Sequence, residues 1–549
     1  MSIDETISAG QSFDTTATDF VNSYDALPYD SLPYSSTHPD HLATIATLFG
    51  MHPPDVDSAR VLELGCAAGG NLIPLAVAIP SATFVGIDFS KRQLDDGWKV
   101  IERLGLKNIE LQHRNISDVG PEDGKFDYIL CHGVFSWVSR EVQEQILSIC
   151  SENLSSNGIA YISYNTNPGW YMRGMVRQMM CYHARQFDDP KSQVEQARAL
   201  LDFLIEAGTA GDEAYRALLH RELNILRGRQ DSYLFHEHLE EVNEPLFFYE
   251  FIERAEKHEL RYLAETQFNE MVAANFGSDV DRTLRELNVG LIPTEQYLDF
   301  LRNRTFRRTL LCHRDIKLSR RIGTEQLSGM YISCALQPSG ENREMSDHSE
   351  MSFQLGNGPT VTVSKPLLKA TLRGLGRISP EPVLFDSMPA FANNELGSIR
   401  VRDAENHQRD LNEIGGMLLE LLAKDLITLR NRPLRYTTSP GDRPLVSPLI
   451  RLQFGKQPHV TTLAHSMLQL SDLSKRLIPM LDGKHDRTAL RNYLLDLVKQ
   501  GKVMIQQFGQ DSRGSVSNQV LDDLLEQELM SLAGNAALVK DAVDITSGN

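Results

Sequence analysis

The sequence is poor in the features that hold small secreted or membrane proteins together. Its six cysteines, Cys66, Cys131, Cys150, Cys181, Cys312 and Cys334, lie far apart and include no C-x-x-C pair. That spacing argues against a disulfide framework or a zinc site, so no metal is expected, and it fits reduced thiols in a cytoplasmic protein. No apolar run approaches the roughly 18–20 residues of a membrane span, so no membrane insertion is expected. Residues 1–20 are polar, lack the apolar core of a signal peptide and are expected to be mobile. Basic charge is also short: 55 Lys and Arg stand against 73 Asp and Glu, a net charge of -18 with no basic run, which argues against a nucleic-acid partner. The 549 residues are enough for two to four domains with sizeable cores.

What the sequence does have begins at Arg60: RVLELGCAAGGNLIPLAVAIPSATFVGIDFS. Val61 to Leu64 reads as a buried parallel strand and Gly65 to Gly70 as a tight turn. Asn71 is expected to cap a helix, with Pro74 in its first turn. Thr83 to Ile87 is a second strand ending on Asp88. Strand, Gly turn, helix, strand and acid form the first half of a nucleotide-binding α/β sheet. A dinucleotide site would have G-x-G-x-x-G; here Ala67 holds the third position and Glu63 precedes the first Gly by two. A carboxylate there repels phosphates and suits the ammonium of a methionine moiety. Asp88 is placed to accept ribose hydroxyls. The pair favours S-adenosylmethionine over NAD as cofactor.

Tyr24 to Leu42 holds three tyrosines and three prolines and cannot be a regular helix. It reads as an arm over the Gly turn. Tyr24, Tyr29 and Tyr34 either line the active site or pack on the sheet edge. A helix over 41–51 follows. Lys91 to Leu104 is the second crossover helix and Ile109 to His113 the third strand. Beyond it, either Asn115 with Ile116 or Asp118 reaches the adenine. Phe126 to Leu130 is the fourth strand, whose end carries His132, Gly133 and Trp137 at the ligand-binding edge. His132 is a base or a satisfied structural histidine; Trp137 packs or touches substrate. A helix spans 140–154, residues 155–158 form a turn, and Gly158 to Tyr164 is the fifth strand. Tyr164, Asn165 and Trp170 are expected at the same edge. A helical insertion of roughly 70 residues then interrupts the sheet; it reads as a dimerisation unit, a lid or a buttress. Helix 247–260 and strands Arg261 to Glu265 and Phe306 to His313 complete the sheet.

The remainder is expected to be α+β. Residues 341–350 read as a linker or loop, and the helix over 410–423 followed by ITLRNRPLRY suggests a winged helix. The pattern returns over 473–506 with a terminal helix over 520–533. With this acidic chain, a protein-binding or packing role is favoured over DNA. The expected divisions are an arm with the cofactor-binding domain at 1–175, an insertion at 176–244, the rest of the sheet at 245–315, a middle domain at 316–440 and a C-terminal domain at 441–549.

ELGCAAGGNLIP, the GID ending in Asp88, HGVFSWV and SYNTNPGW resemble the bacterial class I methyltransferases that carry a methyltransferase regulatory domain. YLFHEHLEEVNEPLFFYEF and EQYLDFLRNRTFRRTLLC resemble that regulatory segment. The layout is similar to the rickettsial-type protein-lysine methyltransferases of outer-membrane proteins. That resemblance implies a Rossmann-like fold, S-adenosylmethionine, a homodimer and a protein substrate. It places Glu63, Gly65, Cys66, Gly69 and Asn71 at the methionine end, Asp88 on the ribose with Gln93 near it, Asn115 and Ile116 at the adenine, and His132 and Gly133 beneath the sulfonium. Ala67 departs from the family, where many members have Gly.

The expected activity is N-methylation of lysine in a protein. Displacement at a sulfonium needs alignment and water exclusion more than an acid or base. The aromatic residues Tyr29, Trp137, Tyr164 and Trp170, with His132, are the candidates for the substrate wall, since ring faces can hold an ammonium. A small-metabolite or glycan methyltransferase, and a non-catalytic cofactor-sensing module, are the alternatives.

Overall fold

The computed structural model describes residues 30–207, 212–341, 344–397, 404–504 and 517–540. Residues 1–20, Tyr24 and Tyr29 lie outside them.

Seven strands form one sheet: β1 (Arg60–Leu64), β2 (Thr83–Asp88), β3 (Ile109–His113), β4 (Phe126–Cys131), β5 (Leu154–Asn165), β6 (Leu260–Glu265) and β7 (Phe306–His313). Their order is β3-β2-β1-β4-β5-β7-β6; β1 to β5 run parallel and β7 antiparallel. The strand order reverses between β1 and β4, which opens a crevice at their carboxyl ends. The apolar runs that mark these strands are buried on both faces, as a parallel sheet requires. Helix Lys91–Leu104 begins where the Ser90 hydroxyl accepts the Gln93 N–H (3.3 Å) and stops at Gly105, whose φ of 67° ends the right-handed run.

The fifth strand differs from expectation. Residues 155–158 are not a turn before it but part of it. Phe126 pairs with Leu154 and Tyr128 with Ile159, so the extra residues bulge between two paired points.

The helical insertion is present as Gly169–Ala184, Pro190–Glu206 and Glu213–Leu226, packed through Val176, Met180, Val194, Ala197, Leu201 and Leu219. Its ends are pinned together: the Leu246 N–H donates to the Asn165 carbonyl (3.2 Å) and the Asn167 N–H to the Leu246 carbonyl (3.1 Å). The expected boundary at 175 falls inside helix Gly169–Ala184, because Val176 and Met180 on that helix belong to the insertion's core.

Two further cores lie in the C-terminal half, one among residues 327–429 joined by Leu48 and one among 446–538. Residues 341–350 are not an interdomain linker; they stand between paired strands Gln337–Ser339 and Met351–Gln354. The basic strand that suggested a winged helix turns inward. Arg432 pairs with Asp40 (2.8 Å), Asp55 (2.8 Å) and Asp57 (2.7 Å), and Arg435 with Asp40 (3.4 Å) and Asp57. These guanidiniums join the C-terminal half to the sheet.

The end of the sheet depends on one fully buried arginine. Arg307 on β7 donates to Glu265 (2.7 Å), to both Asp299 oxygens (2.8 and 2.9 Å) and to Glu295 (3.3 Å), which ties helix Leu291–Arg302 to β6 and β7. Removing one member strands the others without water. Arg307→Met is expected to cost about 3–5 kcal/mol, read as a lower urea midpoint; Arg314→Met, on an exposed pair with Glu259, should cost under about 1 kcal/mol.

Candidate active site

The Gly turn after β1 is shaped by two close approaches. Gly65, at φ 76°, has no room for a methyl group: a Cβ there would stand 2.4 Å from the Val134 side chain. A Cβ on Gly70 would meet the Ser31 carbonyl at 2.1 Å, because the arm lies directly over the turn. The Gly70 N–H donates to the Ser31 hydroxyl (2.7 Å) and the Tyr34 N–H to Asn71 Oδ1 (3.0 Å). Ala67 has φ 50°, in the left-handed region where glycine is cheaper. Its N–H donates to Asp88 Oδ2 (2.8 Å), so the strained backbone is what joins the turn to the acid on β2.

A cavity of about 450 Å³ opens over this turn. Glu63, Gly65, Cys66, Asn71, Asp88, Gln93, Asn115, Ile116, His132, Gly133 and Trp137 all line it. Asp88 accepts two backbone N–H groups, from Ala67 and Ser90, both at 2.8 Å. A carboxylate has about four acceptor sites, and these two donors fix its plane. Glu63 is buried; burial pushes its carboxyl up to about 8, the charge of Asp88 adding to the rise and the Asn71 hydrogen bond opposing it. One oxygen accepts from Asn71 Nδ2 (2.8 Å); the other, Oε2, is buried without a hydrogen-bond partner.

Asn71 is not the expected helix cap. Its side chain makes no capping bond and its backbone is already helical. The amide is used sideways instead, on Glu63 and Tyr34. Asn115 caps the turn Ile116–Asp118, its Oδ1 accepting the Ser117 N–H (3.0 Å) while Asp118 accepts the Asn115 N–H (3.2 Å). Asn115 and Ile116 line the cavity, while the Asp118 carboxylate is engaged on the Asn115 N–H. Gly69 does not line it; a Cβ there would point at Ile73 and Leu111.

His132 lies at one end of the cavity. Its Nδ1 is 2.7 Å from the Tyr161 hydroxyl, and Tyr34 lies against its ring with centroids 3.7 Å apart. Burial lowers its pKa to about 3, with Arg308 adding to the effect, so the imidazole is neutral. The Gly133 N–H donates to Ser163 Oγ (2.8 Å).

Besides Gly69, three expected site residues are elsewhere. Tyr164 is fully buried in the core; its ring stacks on Phe251 at 4.2 Å and its hydroxyl is 3.2 Å from Thr309 Oγ1. Side chains alternate along a strand, so β5 sends Tyr161 and Ser163 toward His132 and Tyr164 to the opposite face. Asn165, also buried, is not part of the cavity over the Gly turn and donates its N–H to Ser136 Oγ (2.8 Å). Trp170 is buried in the first turn of the insertion, between the edge of Trp137 (6.2 Å) and the Arg173 guanidinium (4.8 Å). Sequence reading missed Tyr161 and Ser163, which hold His132 and Gly133 from behind, and Phe306, His236 and Glu237, which line the cofactor cavity. The first two were legible from strand alternation; the others come from distant segments.

A second cavity, of about 650 Å³, shares Tyr34, His132 and Phe306 with the first. The arm, the end of β6, residues 422–436 and residues 463–464 wall it.

Comparison with known proteins fits this geometry. A methyltransferase domain matches residues 55–215, a predicted methyltransferase regulatory domain 230–313, and the C-terminal winged helix domain of PKMT 442–537. PKMT2 from Rickettsia typhi, solved in complex with AdoHcy, superposes with a TM-score of 0.82 at 30% identity, covering 93% of this chain and 100% of that one. The chain belongs to the PKMT family. The Rickettsia prowazekii protein RP789 is 36% identical over 528 residues, 94% of each chain, and RP028 of the same organism is 41% identical over 241 residues, 44% of this chain and 96% of that one. The chain is an S-adenosylmethionine-dependent methyltransferase with a Rossmann-like sheet and a C-terminal winged helix. Its residues fit that cofactor: the orphaned Glu63 oxygen lacks the cation that an amino-acid ammonium would supply. No described helix is long and apolar enough to cross a membrane.

Glu63 also makes the fold sensitive to pH. Between its ordinary 4.5 and about 8, the folded protein keeps a proton that the unfolded chain releases. The stability it contributes is complete below 4.5 and lost as pH rises through about 8. Glu63→Gln removes this slope, so above pH 8 the variant should melt higher than the parent while binding AdoHcy at least about tenfold more weakly; thermal scans and calorimetry across pH check both.

Proposed function

We propose that this PKMT methylates lysine side chains of a protein, as a homodimer in the cytoplasm. The observation that supports the substrate class most directly is the junction between the two cavities. The wide cavity and the cofactor cavity share Tyr34, His132 and Phe306 in their linings, so these rings stand between the two. A long unbranched side chain could pass that aromatic slot while the polypeptide bearing it stays in the larger space.

In this reading Glu63 takes the cofactor's ammonium, Asp88 its ribose, with Gln93 beside it, and Asn115 and Ile116 its adenine. His132 and Gly133 lie under the reacting end, and Trp137 closes the wall. When bound, S-adenosylmethionine supplies a methyl group activated on a sulfonium. The protein's task is to deliver a neutral amine. Ring faces attract an ammonium as it enters, and loss of water lowers its pKa, so its proton passes to solvent in the larger cavity before the nitrogen reaches the cofactor end. His132 is not a base here, because burial keeps it from holding a proton near neutral pH. It orients: Tyr161 holds its ring in place against Tyr34.

The dimer reading has its own support. Tyr171 (61% exposed), Phe300 (47%) and Tyr297 (38%) join through Phe247 into one aromatic patch across the insertion and helix Leu291–Arg302. Exposed patches of this kind mark protein interfaces. Separate cores in the insertion, in 327–429 and in 446–538 support dividing the chain near 245, 315 and 440.

Incubation with labelled S-adenosylmethionine and a cell-envelope extract should put label on protein lysines, located by mass spectrometry; label confined to small metabolites would refute the substrate class. Asp88→Ala should weaken AdoHcy binding by at least about 100-fold, since two charge-assisted hydrogen bonds are lost. Phe300→Glu should convert the dimer to monomer in light scattering.

A further inference from the structure

The C-terminal winged helix sends a hairpin loop to the cofactor end of the molecule. Strands Val460–Thr461 and Met467–Leu468 pair antiparallel. The Thr462 N–H donates to the Ser466 carbonyl (2.9 Å) and the His465 N–H to the Thr462 carbonyl (3.0 Å), which leaves Leu463, Ala464 and His465 as a three-residue loop. Loops of this kind end on a residue in the left-handed region, where glycine is cheapest. His465 occupies it at φ 59°. A chain that keeps histidine where glycine would be easier has a use for the ring.

The ring is buried, edge-on to His38 at 5.7 Å, and its Nε2 is 2.7 Å from Asn71 Oδ1. The orientation of that amide follows from its neighbours. The Tyr34 N–H can only donate, so the Asn71 atom facing it at 3.0 Å is the oxygen, and the nitrogen faces Glu63 at 2.8 Å. His465 therefore carries its hydrogen on Nε2 and donates it. The Thr37 hydroxyl adds a contact at 3.0 Å, its one hydrogen shared with the Tyr34 carbonyl at 2.8 Å. His465 Nδ1 is buried without a partner. The left-handed backbone and the orphaned nitrogen are both unfavourable, and what they secure is one N–H aimed at Asn71.

We infer that His465 is a positioning residue of the methyl-donor site, setting Glu63 through Asn71, so that the C-terminal winged helix is part of cofactor binding. The inference rests on the assignment of Glu63 to the donor's ammonium. Without His465 the Asn71 amide is held only from the side of the arm, by Tyr34 and Thr37, and Glu63 is aimed less firmly.

The test uses the full chain with His465→Gly, His465→Asn and His465→Gln, read by AdoHcy calorimetry and by steady-state kinetics. Glycine removes the ring and relieves the backbone. Asparagine accepts the left-handed conformation, but its side chain is too short to reach Asn71. Glutamine places an N–H near the position of Nε2. The Gly and Asn variants should raise the AdoHcy Kd and the KM for S-adenosylmethionine about tenfold, as for one buried hydrogen bond, with kcat at saturating cofactor within about twofold, and Gln should restore most of the affinity. A merely structural role would lower kcat and the folded fraction, leave the Kd of folded protein unchanged, and make Gln no better than Gly. Parent-like affinity in Gly or Asn, or no rescue by Gln, overturns the inference. Should one of these variants not fold, the other two decide. Asp88→Ala is the control: if it too binds AdoHcy undiminished, the site assignment has failed; if it alone loses binding, only the role of His465 has.

Discussion

A buried carboxylate with one oxygen satisfied and one left over governs this molecule. Glu63 is buried, so its carboxyl stays protonated or meets a cation. Asn71 supplies the single neutral partner, and what holds Asn71 comes from two directions: the arm through Tyr34 and Thr37, and the C-terminal hairpin through His465. The most local motif of the chain thus depends on residues hundreds of positions away. A charge that waits for its counter-ion suits a site that binds a cationic amino acid reversibly.

The same economy shapes the passage to substrate. β5 alternates sides, and the face carrying Tyr161 and Ser163 fixes His132 and Gly133 at the end of β4. Tyr34 from the arm and Phe306 from β7 complete the slot. The large cavity beyond is walled by the C-terminal half, which Arg432 and Arg435 fasten to Asp40, Asp55 and Asp57. The basic strand that could be read as a nucleic-acid face has its charge consumed inside the molecule.

Much of the sheet was legible because its signals are local. Apolar runs gave β1 to β4 and β7 nearly to the residue. Ser90 and Gly105 bracket a helix whose ends depend on hydrogen bonds within a few residues. Ala67 and Asp88 announced a turn and an acid that one N–H joins. The start of β5 was misread because Ser155 to Gly158 have turn composition, and only pairing with Phe126 keeps them in the strand. Tyr164 and Trp170 were misplaced because an aromatic residue near a strand end says nothing of which face it takes until the register is fixed.

The sequence by itself determined the methyl-donor motif, the class of sheet and the presence of an insertion, since each is written in neighbouring residues and short-range hydrogen bonding. Only the tertiary structure decided which ring faces the slot, where the arginines of the basic strand spend their charge, and that His465 touches Asn71. Those contacts join segments with no periodic relation in sequence. Their partners are chosen by burial, where an unmet polar group is costly enough to select one arrangement among many.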